Sequence, residues 1–241
     1  NVTGNAKIEA LINDWYRISV TDNLASATRY PTLYLLPDSY TTGYNPPSYT
    51  GDGTSGVYIY GANLTQSTFA TSYIPNHGTS GVTRAADVCG GAGDVNTFNS
   101  TEGVLYAEMS ALADDSVIDG ISLSDGSAAN RVVIFKWNVS NTIYARVTVG
   151  GVNINLTEVI SDITAFNKIA LKWKVNDFAL WINGVEVATS SSGSSFGSGV
   201  LTTLNFNTDG AGSAASKSKT KQVLTFNTAL TDSELATLTT L

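Results

Sequence analysis

Large apolar side chains recur at every second position along residues 167–189, NKIALKWKVNDFALWINGVEVAT. Ile169, Leu171 and Trp173 occupy one face of the first segment, with polar or small residues between them. A period of two is typical of a β-strand with one buried face. A short polar turn then follows, and the same period resumes from Phe178. The pattern predicts antiparallel strands that contribute to one core.

The dipeptide Asn-Gly at 183–184 predicts a two-residue hairpin loop, because both central positions of a type I′ turn need positive φ. The resulting register places Trp181 beside Glu186, on the face opposite the apolar stripe. A tryptophan in that position either packs under a second layer or is presented to a ligand. Trp15 and Trp173, in contrast, are expected in cores.

Further segments of the same kind follow the first hundred residues, and Gly150-Gly151 marks a second tight reversal. Regularly spaced strands with turn signals between them predict a two-sheet antiparallel sandwich. These additional predicted strands are 101–112, 119–125, 130–138, 142–149, 152–159, 200–207 and 221–227.

The end of the sequence has a different pattern. Thr231 is followed three residues later by Glu234, and Leu235 and Leu238 are at helical spacing. This is the arrangement of a capping box, in which the Thr hydroxyl and the Glu carboxylate each bond an amide of the first turn. The sequence predicts a short helix over about 232–238 that covers an end of the sandwich.

Composition agrees with an all-β chain. Of 241 residues, 10% are aromatic, only 14% are charged and 22 are glycine, which suits short strands joined by many turns. The formal net charge of −7 and the lack of a basic stripe argue against a nucleic-acid partner. No apolar run approaches the roughly 20 residues of a membrane-spanning helix, so membrane insertion is not predicted.

The sequence predicts two β-sandwich modules. His77-Gly78-Thr79-Ser80-Gly81 is the best linker, because domain boundaries fall in Gly- and Ser-rich exposed segments. The expected domains are therefore 1–76 and 87–241, with 77–86 as the linker. Short β-rich runs in the first domain, at 7–10, 15–21, 32–37 and 56–65, are expected to form strands. The long Gly-, Pro- and Ser-rich loop between the last two runs contains Tyr44 and Tyr49.

Four segments of the first part resemble a carbohydrate-binding-type β-sandwich of bacteriophage tail-fibre and other virion proteins. They are WYRISVT at 15–21, GDGTSGVYIYGANL at 51–64, FATSYIPN at 69–76 and VTRAAD at 82–87. In that family this block is only the second half of a sandwich, so the resemblance implies a partial sandwich in the first domain. It further implies a location on the virion surface and assembly with other virion subunits, as a homo-oligomer.

The second part is similar to the concanavalin A-like, or laminin G-like, family over roughly residues 98–241. NKIALKW, FALWINGVEVA and QVLTFNTALTDSELATL occur in the order of that family's strand, hairpin and terminal helix. The resemblance implies a jelly-roll sandwich, and related sandwiches often bind calcium through loop carboxylates. The acidic turns that offer such ligands are at Asp52, Asp125 and Asp209.

Catalysis is not predicted. His77 is the only histidine and Cys89 the only cysteine, so a histidine-based triad or multi-histidine metal site within one chain would depend on a residue of the linker. The Glu-x-Asp-x-x-Glu strand motif of glucanases on this fold is absent. A polysaccharide hydrolase or lyase is therefore a weaker alternative, which would need a carboxylate pair that the sequence does not single out.

Glycan binding needs aromatic platforms, because the C–H face of a sugar packs on an indole or phenol while its hydroxyls bind amides and carboxylates. The candidates are Trp181 with Glu186, then Trp137, Tyr44 and Tyr49. We expect a non-catalytic virion protein that binds cell-surface glycans. The alternative is a structural or decoration protein that uses the sandwiches for subunit packing.

Overall fold

The computed structural model describes residues 5–22, 34, 36, 40, 48, 50–67, 69–78, 80–83, 89–210 and 216–241. The chain forms two compact units, Asn1–Arg84 and Ala85–Leu241. Their boundary lies within the segment 77–86 in which the sequence places a linker. Each unit has its own arrangement of strands.

In unit 1, strands β1 (Asn5–Ala10) and β2 (Tyr16–Thr21) pair antiparallel, with Ile8 opposite Ile18. The apolar face of this hairpin is exposed, since Ile8 is 69% and Ile18 is 59% accessible. Residues of the polar face are better covered, and the Arg17 guanidinium donates to the carbonyl of Thr71. The usual apolar-in, polar-out order is therefore reversed in this hairpin.

Two expectations for unit 1 are wrong. Residues 56–65, GVYIYGANLT, form no strand, because a strand needs a paired neighbour and in the described residues β1 and β2 pair only with each other. Trp15 is 45% exposed and not in a core. It follows the 3₁₀ turn Ile12–Asp14 and lies outside the paired part of either strand.

Unit 2 is a sandwich of two five-stranded antiparallel sheets. Its strands are β3 (Gly103–Ser110), β4 (Asp119–Ser124), β5 (Arg131–Lys136), β6 (Thr142–Val149), β7 (Val152–Val159), β8 (Asn167–Trp173), β9 (Phe178–Ile182), β10 (Val185–Ser190), β11 (Thr203–Asn205) and β12 (Lys219–Phe226). One sheet has the strand order β10-β9-β8-β3-β12, and we call it the capped sheet. The other has the order β11-β4-β5-β6-β7, and we call it the aromatic sheet.

The core lies between the inner faces of these sheets. As the period of two predicts, alternate residues of β8 and β9 point inward, and Trp173 is among the largest fully buried side chains. The indole Nε1 of Trp173 donates to the carbonyl of Ser100 at 3.1 Å, so its one polar group is satisfied. Opposite it, β4, β5 and β6 contribute residues such as Leu123, Ile134 and Val147 to the same cluster.

Both predicted tight reversals are present. Val149 pairs with Val152 across Gly150-Gly151, and Ile182 pairs with Val185 across Asn183-Gly184. The φ angles of Asn183 and Gly184 are 51° and 87°, as the type I′ geometry requires. The strands that these two turns join, β6 with β7 and β9 with β10, are consequently neighbours in their sheets.

The predicted C-terminal helix is also present, as α1 (Asp232–Thr239). The Thr231 side chain accepts from the Glu234 amide at 3.4 Å, and Glu234 Oε2 accepts from the Thr231 amide at 2.8 Å. The expected position of this helix, over an end of the sandwich, is wrong. The helix packs on the outer face of the capped sheet. Among the described residues, no helical segment has the length and the apolar character that a membrane span requires.

Candidate functional site

The outer face of the capped sheet forms a second apolar cluster under α1. Small side chains at Ala170 and Ala179 leave room for Leu235 of the helix and for the Trp181 indole. Trp181 is only 7% exposed, and its Nε1 is buried with no hydrogen-bond partner. The predicted register with Glu186 is present, but Trp181 is not available as a sugar platform because the helix covers it.

Contacts at both ends of α1 hold it on this face. The ammonium of Lys172 lies 2.8 Å from the Asp177 carboxylate and 3.7 Å from that of Asp232, at the start of the helix. At the other end, the Gly184 amide donates to the Thr239 hydroxyl at 3.1 Å. The outer face of the capped sheet is therefore covered by α1, whose residues are distant in sequence from the strands they contact.

The outer face of the aromatic sheet has a different composition. The register of β5, β6 and β7 places Phe135, Tyr144 and Thr157 in one row, because directly opposed residues share a face. The next row contains Val133, Arg146 and Asn155, and the row after it Arg131, Thr148 and Asn153. The outward positions of these three strands thus carry aromatic rings, amides, hydroxyls and two arginines.

Aromatic rings are stacked at one end of this face. The Tyr144 ring centroid is 4.9 Å from that of Phe135 and 5.0 Å from that of Trp137, with interplanar angles of 33° and 32°. Phe135 is buried, whereas Trp137 and Tyr144 are half-buried. Tilted ring contacts at these distances restrict the orientations of the half-exposed indole and phenol.

Arg146 extends the stack. Its guanidinium carbon lies 5.1 Å from the Tyr144 ring centroid and 5.8 Å from that of Phe135. Its Nε donates to Asn155 Oδ1 at 2.8 Å, the one hydrogen bond that Arg146 makes within the described residues. The stacking and this bond orient the guanidinium and leave its terminal nitrogens for a ligand.

Arg131 is the second cation of this face. One terminal nitrogen donates to the Thr208 carbonyl at 2.6 Å, and its Nε is buried with no partner. Burial lowers the pKa of Arg131, repulsion from Arg146 lowers it further, and Asp209 opposes the shift. The two guanidinium groups therefore interact unfavourably, and an anion placed beside them would relieve that repulsion.

Residues that follow β11 cover the part of the aromatic sheet formed by β4. Asn207 Oδ1 accepts from the Ser122 hydroxyl at 2.8 Å, and the Gly210 carbonyl accepts from the Ser124 hydroxyl at 3.0 Å. Further along, Asp119 accepts from the Lys217 amide at 2.8 Å. These bonds bury β4, so the accessible surface extends from the end of β5 across β6 to β7.

Only part of this site was predicted from the sequence. Of the predicted glycan-binding residues, Trp137 lies in it, Trp181 is buried, and Glu186 is exposed on the capped sheet. Tyr44 and Tyr49 lie outside the described residues. Tyr144 and Arg146 were not predicted. The period of two places them on one face of 142–149, but only the register of β5 with β6 joins that face to Trp137.

The carboxylates of the three acidic turns that were expected to bind calcium, Asp52, Asp125 and Asp209, already interact with groups of the protein itself. Asp52 Oδ1 accepts from the amides of Thr54 and Ser55 at 2.8 and 2.7 Å. Hydrogen bonds from the Ser55 side chain and amide, with the Thr54 amide, hold the Asp52 pKa far below its usual range. These oxygens face N–H and O–H donors, an arrangement unlike that of a calcium loop, in which oxygens surround the ion.

Asp125 is engaged in the same way. It accepts from the Ser127 amide at 2.9 Å, from the Ser127 hydroxyl at 2.6 Å and from the Asn130 side chain at 2.8 Å. Burial opposes the resulting decrease in the Asp125 pKa, but the hydrogen bonds outweigh it. Asp209 interacts electrostatically with Arg131. Within the described ranges, no three His, Cys, Asp or Glu residues form a group able to hold a metal ion.

A lysine ammonium does lie in an oxygen-rich cage at the end of β5. Lys136 is 2% exposed, and its Nζ donates to Asp115 Oδ1 at 2.7 Å, to the Val117 carbonyl at 2.9 Å and to the Asp115 carbonyl. Three oxygens of one loop thus share a single buried cation. This cation fixes residues 115–117 against the sheet.

Neither protein-family models nor curated proteins match the sequence. Solved structures do match. The chain superposes on the Ruminococcus gnavus IT-sialidase CBM40 with a TM-score of 0.50 and 16% identity, over 64% of this chain and 95% of that chain. The same module bound to α2,3 sialyllactose matches with a TM-score of 0.50 and 17% identity, over the same shares of the two chains.

A SAP-like pentraxin from Limulus polyphemus also matches, at a TM-score of 0.46 and 11% identity, over 61% of this chain and 73% of that chain. At these identities the likeness to the CBM40 module establishes the fold. The predicted all-β class and antiparallel sandwich are therefore confirmed.

Proposed function

We propose that unit 2 is a non-catalytic glycan-binding module, and that it binds a sugar bearing a carboxylate on the outer face of the aromatic sheet. Trp137 and Tyr144 supply the surface for the sugar's C–H face. Arg146 supplies a planar pair of donors for the carboxylate, and Asn155 and Thr157 lie beside it for hydroxyl groups.

The observation that carries this proposal is the position of the Arg146 guanidinium over the Tyr144 ring. A guanidinium oriented by stacking loses little freedom when it binds a carboxylate in a bidentate manner. The outward positions of β5, β6 and β7 include two arginines and no aspartate or glutamate. Local charge therefore favours an acidic sugar over a neutral one.

The similar CBM40 module supports the same choice of ligand, because its structure holds α2,3 sialyllactose. The terminal sugar of sialyllactose carries a carboxylate. We take this trisaccharide as the first probe for the present chain.

The wider role we propose is that of a virion surface protein, on a phage tail fibre or capsid fibre, which engages host cell-surface glycans. Support comes from the resemblance of residues 15–21, 51–64, 69–76 and 82–87 to virion proteins. A single weak site would gain strength from repeated copies on one particle.

Titration calorimetry with sialyllactose and lactose tests the binding proposal, since the two ligands differ in the acidic sugar. We expect binding of sialyllactose and little or none of lactose. Arg146→Gln should weaken binding by about 30-fold, equivalent to about 2 kcal/mol for lost charge-assisted hydrogen bonds. Lys174→Gln is the matched control, because it removes a positive charge that pairs with Glu102 outside this face.

Equal affinity for both sugars, or equal losses in the two variants, would contradict the carboxylate assignment. A glycan array extends the test to uronic-acid polysaccharides of bacterial surfaces. If the intact chain binds none of the acidic glycans on the array, the proposed function is wrong.

A structural role in subunit packing is the second candidate, and one observation favours it. The apolar face of the β1–β2 hairpin, including Ile8, Ile18 and Val20, is exposed. An exposed apolar strand face is a contact surface in many assemblies. Hydrogen exchange on assembled particles tests this role, which requires β1 and β2 to become protected.

A further inference from the structure

The four edge strands that the described residues form in unit 2 differ in how they are protected from pairing with another strand. The register of β10 shifts between Glu186 and Ala188, and that of β12 shifts between Thr220 and Gln222. Strand β12 also carries lysines, and β11 is only three residues long. Bulges, lysines and short length are the usual features that prevent edge-to-edge pairing.

Strand β7, Val152–Val159, has none of these features. It is eight residues long, pairs with β6 in an uninterrupted register and contains no lysine or proline. Its two terminal valines are exposed, Val152 by 71% and Val159 by 68%. Its regular free edge is therefore suited to pairing with another strand.

The hydrogen bonds between β7 and β6 show which backbone amides and carbonyls of β7 point away from β6. The Ile160 amide donates to the Asn141 carbonyl at 2.8 Å, so even-numbered positions bond toward β6. In an antiparallel ladder, alternate residues bond to opposite sides. The amides and carbonyls of Asn153, Asn155 and Thr157 consequently point away from β6.

The sequence of β7 is complementary to itself around Asn155. When two antiparallel copies meet with Asn155 opposite Asn155, Asn153 faces Thr157 and Ile154 faces Leu156. Polar residues then meet polar residues on the outer face, and apolar residues meet on the core side, as pairing within one continuous sheet requires. The only charge of the strand, Glu158, lies opposite Val152 and far from its own copy.

We propose that β7 pairs with β7 of a second copy of this chain, about a two-fold axis through Asn155 perpendicular to the sheet. The two aromatic sheets would then form one ten-stranded sheet. Such an interface is isologous, the commonest form of homodimer. Both aromatic faces lie on the same side, with the two Arg146 side chains about three strand spacings, or roughly 14 Å, apart.

Sedimentation velocity on the full chain, without glycan, measures the dimer, so this inference does not depend on the proposed glycan binding. We expect a concentration-dependent monomer–dimer equilibrium. Asn155→Pro should raise the dimer dissociation constant by about 30-fold or more, because each copy loses one inter-strand donor. The variant should retain its fold, as shown by circular dichroism, since β6 does not use that amide.

Cysteine cross-linking in the Cys89→Ser background tests the register independently. Asn155→Cys should form a disulfide with its own copy, because hydrogen-bonded antiparallel pairs have Cα atoms about 5.5 Å apart. Thr157→Cys alone is the matched control, since its copy is offset by four residues, roughly 13 Å. Mixing Asn153→Cys with Thr157→Cys should restore cross-linking.

Three results would each overturn the proposal. The chain sediments as a monomer at every concentration, or Asn155→Pro dimerises with unchanged affinity. The third is cross-linking of Asn155→Cys no faster than that of Thr157→Cys. A dimer that survives Asn155→Pro would place the interface on another surface, such as the β1–β2 hairpin.

Discussion

The two outer faces of the unit 2 sandwich each carry a tryptophan, Trp181 on the capped sheet and Trp137 on the aromatic sheet. Only the Trp137 indole is substantially exposed to solvent. On the capped sheet, Trp181 lies under helix α1 and is 7% exposed. On the aromatic sheet, Trp137 is half-buried and stacks 5.0 Å from Tyr144. The difference comes from the neighbours in space, because α1 packs on one face and the aromatic rings and Arg146 remain on the other.

This comparison separates two uses of aromatic residues. Beneath α1, small residues such as Ala170 and Ala179 make space for the indole, so Trp181 contributes packing energy. On the aromatic sheet, polar residues surround the rings, so the same type of side chain becomes a surface for a ligand. Substitutions on the two faces should accordingly affect different properties.

The largest expected effect is on the capped face. Trp181→Ala should reduce the free energy of unfolding by about 4 kcal/mol, because it leaves a cavity under α1. Trp181→Phe keeps most of the ring volume and removes an unpaired N–H, so its loss should be about 1 kcal/mol or less. Urea denaturation measures both variants. Equal losses would show that ring volume does not account for the contribution of Trp181.

A similar loss should follow at the end of the aromatic sheet. Lys136→Met removes the buried ammonium that the Asp115 carboxylate and the Val117 carbonyl both accept from. Breaking a buried ion pair at one partner costs about 3 kcal/mol. Lys174→Met is the control, because its pair with Glu102 is far more exposed and should contribute about 1 kcal/mol or less. Thermal unfolding compares the two.

Trp137→Ala tests the other side of the comparison. We expect about tenfold weaker binding of sialyllactose, or about 1.4 kcal/mol, because one stacking surface is lost. Its unfolding midpoint should fall much less than that of Trp181→Ala, since the ring is half-exposed. A Trp137→Ala protein that binds the sugar as tightly as the unaltered chain would remove Trp137 from the site.

The smallest expected effects concern the attachment of α1. Thr231→Ala removes the helix cap and should cost about 1 kcal/mol at neutral pH. Hydrogen bonds from the Thr231 hydroxyl and amide hold the Glu234 pKa below its usual 4.5. Because the folded-state pKa is depressed, the stabilisation by Glu234 is present above pH 4.5 and is lost as pH falls through the folded-state value.

Comparison of the unaltered chain with Glu234→Ala between pH 7 and pH 2 checks that direction. The difference in unfolding free energy should be constant above pH 5 and shrink in acid. A difference that grows in acid would mean that the Glu234 carboxylate does not cap the helix.

Much of unit 2 was predictable because local chemistry specifies it. The period of two placed Ile169, Leu171 and Trp173 in the core, Asn183-Gly184 specified its turn, and Thr231 with Glu234 specified a cap. The burial of Trp181 was not predictable, because an outward position in a strand is exposed to solvent unless another element, here α1, packs on it. The extended segment 56–65 was predicted as a strand for a related reason, since its apolar pattern says nothing about a pairing partner.

The candidate site shows the same division. Trp137 was identified by its residue type. Arg146 was missed because its position on the aromatic face depends on the register of β5, β6 and β7. Calcium was expected from isolated Asp-Gly turns, but hydrogen bonds occupy the oxygens of Asp52 and Asp125. A local motif cannot show whether its polar atoms already have partners.

By itself, the sequence determined the all-β class, the order of strands and turns in unit 2 and the presence of a capped terminal helix. These features depend on backbone preferences and side-chain alternation over a few neighbouring residues. Only the tertiary structure decided that α1 covers Trp181 and that Trp137, Tyr144 and Arg146 share an accessible face. Burial and proximity are properties of residues distant in sequence, and they are established only when the two sheets and the helix pack together.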